Sequence, residues 1–469
     1  SGRGRRRRAE RGADVLGGFA GLMIVMKFGG TSVESAEAIE RVTGIVKSRL
    51  ARKPVVVVSA MGKTTNRLLK IADLAVSGQR EEALRNLIAL RDYHLRESGM
   101  ERTIDEHFQE LSELVKGLAV LGELTPRSVD AISSFGERLS SLIVTNYFKH
   151  HGLSAVHLDS RKVIVTDRRH TQAAPNLEES YARLAAAIPP LLEDHVVVMG
   201  GFIAATPEGI TTTLGRGGSD FTASIVGAGI GAEEIQIWTD VDGMLTADPG
   251  IVPNAHRVKM ISFTEAAELA YFGAKVLHPS TVVPAIDRNI PVLILNSRRP
   301  QVEGTRIVAE PVTTSNLVKS IACKSNVTVL NIHAARMFMA YGFMRRIFEV
   351  FERYQTSVDM IATSEVNVSL TVDQSEHLRE IVKDLREFSE VSVEENEAII
   401  CIVGDNIRYT PGVAARVFRA LARVNVRMIS QGASALNLGF VVAGEDLRAA
   451  VSALHTEFFS ELDPAVFDA

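Results

Sequence analysis

The run Lys27-Phe28-Gly29-Gly30-Thr31-Ser32 sets a cation beside two glycines and two hydroxyl residues. It closes a short apolar stretch from Met23 to Phe28, and a helical pattern follows from Ser35 to about Leu50. Glycines let backbone N–H groups approach a polyphosphate closely, and a helix start favours its negative charge. A lysine at the strand end neutralises charge on a transferring phosphoryl group. The same Gly-Gly pair also builds an ordinary tight turn, and this stretch matches neither the Walker loop nor the dinucleotide fingerprint.

Four further stretches carry comparable chemistry. Thr211-Thr212-Thr213-Leu214-Gly215-Arg216-Gly217-Gly218-Ser219-Asp220 surrounds one arginine with three glycines, ahead of a helix expected from Phe221. A guanidinium held between glycines suits bidentate capture of a carboxylate. Asp220 is read as holding Lys27 in place, not as a base. In Ser133-Ser134-Phe135-Gly136-Glu137-Arg138 the acid is either a helix cap or a ligand for an ammonium group. Trp238-Thr239-Asp240-Val241-Asp242-Gly243, with Asp248-Pro249 beyond, ends a strand in carboxylates able to meet a nucleotide or Mg²⁺, although Asp-Gly is also a common turn pair. Lys275, in Tyr271 to Pro279, is placed to reach phosphates.

These residues need a scaffold. Short continuous apolar runs recur at Val55 to Val58, Val196 to Met199, Ile235 to Trp238 and Val292 to Leu295. Between them lie helical stretches such as Glu81 to Glu97 and Leu177 to Leu192. Continuous apolar strands alternating with helices predict an α/β domain with a mostly parallel sheet covered on both faces. Its strand ends share one edge, where loops hold ligands. Composition shifts near Arg298 to Thr314, and an internal repeat follows. Gly342 to Arg353 resembles Gly412 to Arg423, with Phe348 and Phe418 at the same place in each helix. Strands are expected at Val327 to Ile332, Ser357 to Ile361 and Val366 to Val372, and again at Ala398 to Val403, Asn425 to Ile429 and Leu438 to Val442. Two α+β modules result. The expected division is a basic tail over 1–22, a catalytic domain over 23–300, a linker over 301–316, and modules over 317–396 and 397–469.

The stretches Lys27 to Val33, Val58 to Leu68, Ser134 to Ser140, Thr211 to Thr222, Ile237 to Pro249 and Phe272 to Pro279 together resemble the aspartate kinase branch of the amino acid kinase family. The repeat resembles its tandem ACT domains, which are ferredoxin-like. The run Ser59 to Asn66 is closest to the plant and plant-like bacterial monofunctional enzymes. The resemblance implies a three-layer α/β/α fold and MgATP-dependent phosphorylation of the L-aspartate side-chain carboxylate. It implies that Lys27 bridges the ATP phosphates, with N–H groups from Gly29 and Gly30. Arg216 clamps the α-carboxylate of aspartate and Glu137 its α-ammonium; Ser59, Thr65, Phe202 and Ser219 complete the pocket, and Thr239, Asp240 and Lys275 hold the nucleotide. Some relatives have Tyr at Leu245 and Arg at Gly250, which weakens a stacking or extra phosphate contact there. An aspartate side chain, with a reference pKa of about 3.9, is already ionised near neutrality, so no general base is needed. Mg²⁺ rides mainly on phosphates and water, and no metal cage built from side chains is expected.

Resemblance to lysine-regulated relatives assigns effector binding to Met337, Gly342, Phe343, Met344, Ser357, Val358, Asp359, Thr363, Ser364 and Glu365, with Ala340 where some relatives have Ser. Asp359 and Glu365 are suited to pair with cationic groups of lysine. The second repeat has Arg427 opposite Asp359 and Ala433 near the place of Glu365, so the first module is expected to bind effector and the second mainly to pair modules. Paired modules imply at least a homodimer. Hydrophobic residues at 46%, charged residues at 23% and a net charge of −4 fit a globular protein and demand neither nucleic acid nor membrane. Cys323 and Cys401 lie far apart and read as reduced core residues. The arginine-rich start, Arg3 to Arg11, reads as a tail or a remnant of an organelle-targeting peptide, so the expected location is the cytoplasm with the plastid stroma as alternative. Rival readings are a kinase of the same fold acting on another small acid, and a non-catalytic amino-acid sensor.

Overall fold

The computed structural model describes residues 23–273, 278–310, 314–333, 341–373 and 376–468. The basic tail, Lys275, Met337 and Ala340 lie outside them. The described residues form two compact units. Of the described residues, one unit comprises those from 23 to 243 with those from 278 to 309; the other comprises 244–273 and those from 310 onward.

The first unit is organised by strands β1 (Ile24–Phe28), β2 (Pro54–Val58), β3 (Ala155–His157), β4 (Val196–Gly200), β5 (Ile203–Ala205), β6 (Thr211–Thr213), β7 (Glu234–Thr239), β8 (Val292–Asn296) and β9 (Thr305–Val308). Within this unit the main sheet runs β3-β4-β2-β1-β7-β8-β9. All neighbours are parallel except β8 and β9. Val55 to Val58 are fully buried, which explains their unbroken apolar run. Each such valine contributes roughly 1.5–3 kcal/mol by leaving water, and Val57→Asp would bury an unpaired charge. Helices α1 (Ala36–Lys47), α2 (Thr64–Val76), α3 (Arg80–Ser98), α4 (Glu101–Leu121), α5 (Pro126–Ser133) and α6 (Phe135–His150) supply apolar faces to one core with β1 and β2. Helices α7 (Leu177–Leu191) and α8 (Gly218–Ile230) also belong to this unit, and α8 packs on α7 and β1. Helix α8 begins at Gly218, three residues before the expected Phe221, because Gly217 takes the left-handed conformation and starts the turn. Strands β5 and β6 form a small antiparallel hairpin beside the active loop.

The second unit carries one antiparallel sheet of strands β10 (Ser320–His333), β11 (Val358–Thr363), β12 (Asn367–Val372), β13 (Glu390–Val403), β14 (Met428–Gln431) and β15 (Asn437–Ala443), in the order β11-β12-β10-β13-β15-β14. The two long strands serve both repeats. Ser320 to Lys324 pairs with Val403 to Ile399, and Val329 to His333 pairs with Glu394 to Glu390, with a register shift between. Helices α9 (Phe343–Arg353) and α10 (Leu378–Leu385) cover the first repeat, and α11 (Val413–Ala420) and α12 (Leu447–Phe458) belong to the second. Strand β14 starts at Met428, later than the expected Asn425. The segment 244–276 packs within this unit: Lys319 and Glu265, both almost fully buried, pair at 2.8 Å, and Thr246 meets His455 at 2.9 Å.

Candidate active site

Parallel pairing brings the ends of β1, β2, β4, β7 and β8 to one edge. After β1 the chain turns at Gly29 and Gly30 into a short helix, Gly30–Ser32. A Cβ on Gly30 would sit 2.8 Å from the carbonyl oxygen of Ala60, so only glycine fits between this turn and the one after β2. The N–H of Gly29 already donates to the carbonyl of Trp238 at 3.1 Å. The expected donation from Gly29 to a phosphate would need that bond to break.

At this edge lies a cavity of about 360 Å³, lined among others by Lys27, Ser59, Thr65, Glu137, Phe202 and Ser219, with Asp220 beside them. With Gly30, which also lines it, eight site residues named from the sequence thus meet in one place, from five separate segments. The ammonium of Lys27 pairs with Asp220 at 2.7 Å, with both side chains mostly shielded. Asp220 lies in the first turn of α8, where the helix dipole favours an anion. Phe202 has φ of +64°, unusual for a bulky residue. It is held by a bond from its N–H to Thr222 Oγ1 at 3.0 Å and by the N–H of Leu214 on its carbonyl at 2.9 Å.

Glu137 is buried on α6. Its Oε1 accepts from the Ala60 N–H at 3.1 Å, while its Oε2 is buried without a partner among the described residues. Burial pushes its carboxyl up to about 8, against the downward pull of the Ala60 N–H and the Lys27 charge. A buried carboxylate oxygen awaiting a partner suits an incoming ammonium group.

Arg216 is exposed, on the loop whose flanking Gly215 and Gly217 line the same cavity. Thr239 and Asp240 end β7 outside the lining; the Thr239 carbonyl accepts from Ser297 N and Oγ. Asp242 is engaged by Asn296 at 2.7 Å and by Arg299. Sequence reading did not single out Lys63 and Asn66, which also line the cavity. Their signal was the run Ser59 to Asn66, already noted as a whole. Among the described residues no cluster of His, Cys, Asp or Glu is built to hold a metal ion.

A strand-edge cavity with a paired lysine, a partnerless buried carboxylate and glycine turns defines a phosphoryl-transfer enzyme for a small amino acid. Residues 23–296 match the model of the amino acid kinase family, and residues 330–379 and 400–458 match an ACT domain. The chain is 40% identical to chloroplastic aspartokinase 2 of Arabidopsis thaliana over 94% of its own length and 85% of that protein. It is 36% identical to lysine-sensitive aspartokinase 3 of Escherichia coli, covering 93% and 99% of the two chains. The crystal structure of Escherichia coli aspartokinase III in complex with lysine and aspartate superposes with a TM-score of 0.83 at 35% identity, covering 93% of this chain and 99% of that one. The complex of that enzyme with aspartate and ADP gives 0.79 at 35% identity, covering 93% of this chain and all of that one. The chain belongs to the aspartokinases, a branch of the amino acid kinase family that carries C-terminal ACT domains.

Proposed function

We propose that this enzyme transfers the γ-phosphoryl group of ATP to the β-carboxylate of L-aspartate, and that lysine inhibits it through the ACT modules. The observation that carries the catalytic half is the convergence of the Lys27–Asp220 pair and the partnerless Glu137 Oε2 on one cavity.

In this reading Glu137 takes the α-ammonium of aspartate and Arg216 its α-carboxylate. Ser59, Thr65, Phe202 and Ser219 set the remaining shape. The side-chain carboxylate then faces Lys27, which Asp220 orients. Two anions must be aligned and their repulsion neutralised, and Lys27 together with the Gly30 turn supplies that field. Thr239, Asp240 and Lys275 are assigned to the nucleotide. Mg²⁺, held by phosphates and water, adds charge neutralisation when bound.

On the regulatory side Asp359 is the carboxylate assigned to the effector, and Gly342, Phe343, Met344, Ser357, Val358, Thr363, Ser364 and Glu365 are assigned to the same role. Assembly is proposed as a homodimer through the modules, which light scattering of the purified chain would test. The proposed compartment is the cytoplasm, with the plastid stroma as the alternative that the chloroplastic names of the Arabidopsis relatives fit. The decisive assay is turnover with MgATP and a panel of acids, trapping acyl phosphates as hydroxamates. Aspartate is expected to give product, while acetylglutamate, glutamate and carbamate give none. Product from one of those acids in preference to aspartate would overturn the assignment.

A further inference from the structure

We infer that Asp130, a fully buried residue outside the cavity, is a positioning residue that fixes the Arg216 loop and so sets affinity for aspartate. This rests on the reading of Arg216 as the clamp for the substrate's α-carboxylate.

Asp130 lies on α5, whose start is set by Pro126 and by Thr125 capping the Ser128 N–H. Its carboxylate is surrounded by donors from two other segments. Oδ1 accepts from the hydroxyl of Thr213 at 2.6 Å and the N–H of Thr171 at 3.0 Å. Oδ2 accepts from the same N–H at 3.1 Å and contacts Nδ1 of His170 at 2.6 Å. A buried carboxylate is costly without partners, and here every partner comes from a segment leading to or resting on the Gly215–Arg216 turn.

Thr213 is the last residue of β6, three positions before Arg216. Thr171 has φ of +70°, a left-handed conformation that a β-branched residue rarely adopts. Its N–H is held by Asp130, and its carbonyl oxygen lies 3.2 Å from where a Cβ on Gly215 would be. The Ala173 N–H donates to the Thr213 carbonyl at 2.9 Å, and Asp167 closes the same loop by accepting from Arg169 and Ala174. Asp130 thus joins the strand that delivers Arg216 to the loop that backs it. Gly215, itself at φ of +77°, rests on Thr171 and Gln172, and Asp130 holds Thr171 in place beneath it.

The test measures KM for aspartate and for ATP separately in the full chain. Asp130→Asn is expected to raise KM for aspartate about 10–50-fold and leave KM for ATP within about twofold. Thr213→Val, which deletes one donor without changing volume, should raise KM for aspartate about 3–10-fold, and Thr213→Ser should restore it. On an Arg216→Ala background Asp130→Asn should add less than about twofold to the aspartate dissociation constant measured by calorimetry. Equal rises in both KM values, or full additivity with Arg216→Ala, would overturn the inference. If Asp130→Asn does not fold, the Thr213 pair decides: equal aspartate KM for Val and Ser overturns it. An Arg216→Ala enzyme with unchanged aspartate affinity would instead defeat the reading of Arg216 itself.

Discussion

Glu137 in the catalytic cavity and Asp359 in the sensing sheet treat charge in opposite ways. In the catalytic cavity Glu137 Oε2 is buried without a partner, and Arg216 is exposed and makes no ion pair with a described residue. In the sensing sheet the charges at equivalent positions of the two repeats are already matched. Asp359 pairs with Lys324 at 2.9 Å, and Lys324 also reaches Asp373 at 2.8 Å. Sixty-eight positions on, Arg427 pairs with Glu394 at 2.8 Å and with Glu397. A cavity with open valences is completed by its ligand's charges, so binding and chemistry gain directly. A sheet with closed valences can take a charged ligand only by exchanging one partner for another.

The catalytic half of that contrast breaks most sharply at Lys27. Lys27→Ala leaves Asp220 without its cation and the phosphoryl group without neutralisation, and kcat is expected to fall by about 10³-fold or more. Near-normal turnover in the hydroxamate assay would remove Lys27 from the mechanism. Glu137→Gln deletes the charge but keeps the shape. KM for aspartate should rise about 100-fold while KM for ATP stays within about twofold.

The raised carboxyl of Glu137 gives the same contrast a pH signature. With the substrate's α-ammonium assigned to the ionised form, kcat/KM for aspartate should climb about tenfold per pH unit towards about 8 and then level off. The Gln variant should lose that limb. Stability moves the other way. A carboxyl whose folded value exceeds its unfolded one binds its proton more tightly in the fold. The native enzyme therefore loses stability as pH rises from about 4.5 to about 8. Glu137→Gln is neutral throughout, and its Tm should exceed the wild-type value by several degrees above pH 8 and by little near pH 5. A scan showing equal differences at both pH values would contradict the burial account.

Much of this architecture was legible in the residues. Val55 to Val58 and Val196 to Met199 announced buried parallel strands because both faces of the sheet are covered. The glycines around Arg216 and Gly30 after β1 marked turns where a side chain would not fit. Glu137 was visible as a candidate ligand, but its orphaned oxygen depends on what α6 packs against, which no local pattern encodes. Asp130 gave no signal at all. Its donors, His170, Thr171 and Thr213, lie about 40 and 80 positions away and meet only in the folded hairpin region. The pairing of Asp359 with Lys324 was hidden for the same reason: they lie 35 positions apart on β11 and β10, two strands that flank β12 and meet only in the folded sheet.

The smallest expected effects lie in that regulatory pair, and they sharpen the comparison most finely. If lysine binds by taking over Asp359, then Asp359→Ala should abolish inhibition with kcat little changed. Lys324 is then the internal ammonium that the effector would displace. Lys324→Met keeps the aliphatic length, removes the competitor and should lower the half-inhibitory lysine concentration by about 3–10-fold. Glu137 would answer differently, because its Oε2 has no internal cation partner to remove among the described residues. Weaker inhibition in Lys324→Met would mean that Lys324 orients Asp359 for the effector, and the exchange model of the sensing sheet would have to be abandoned.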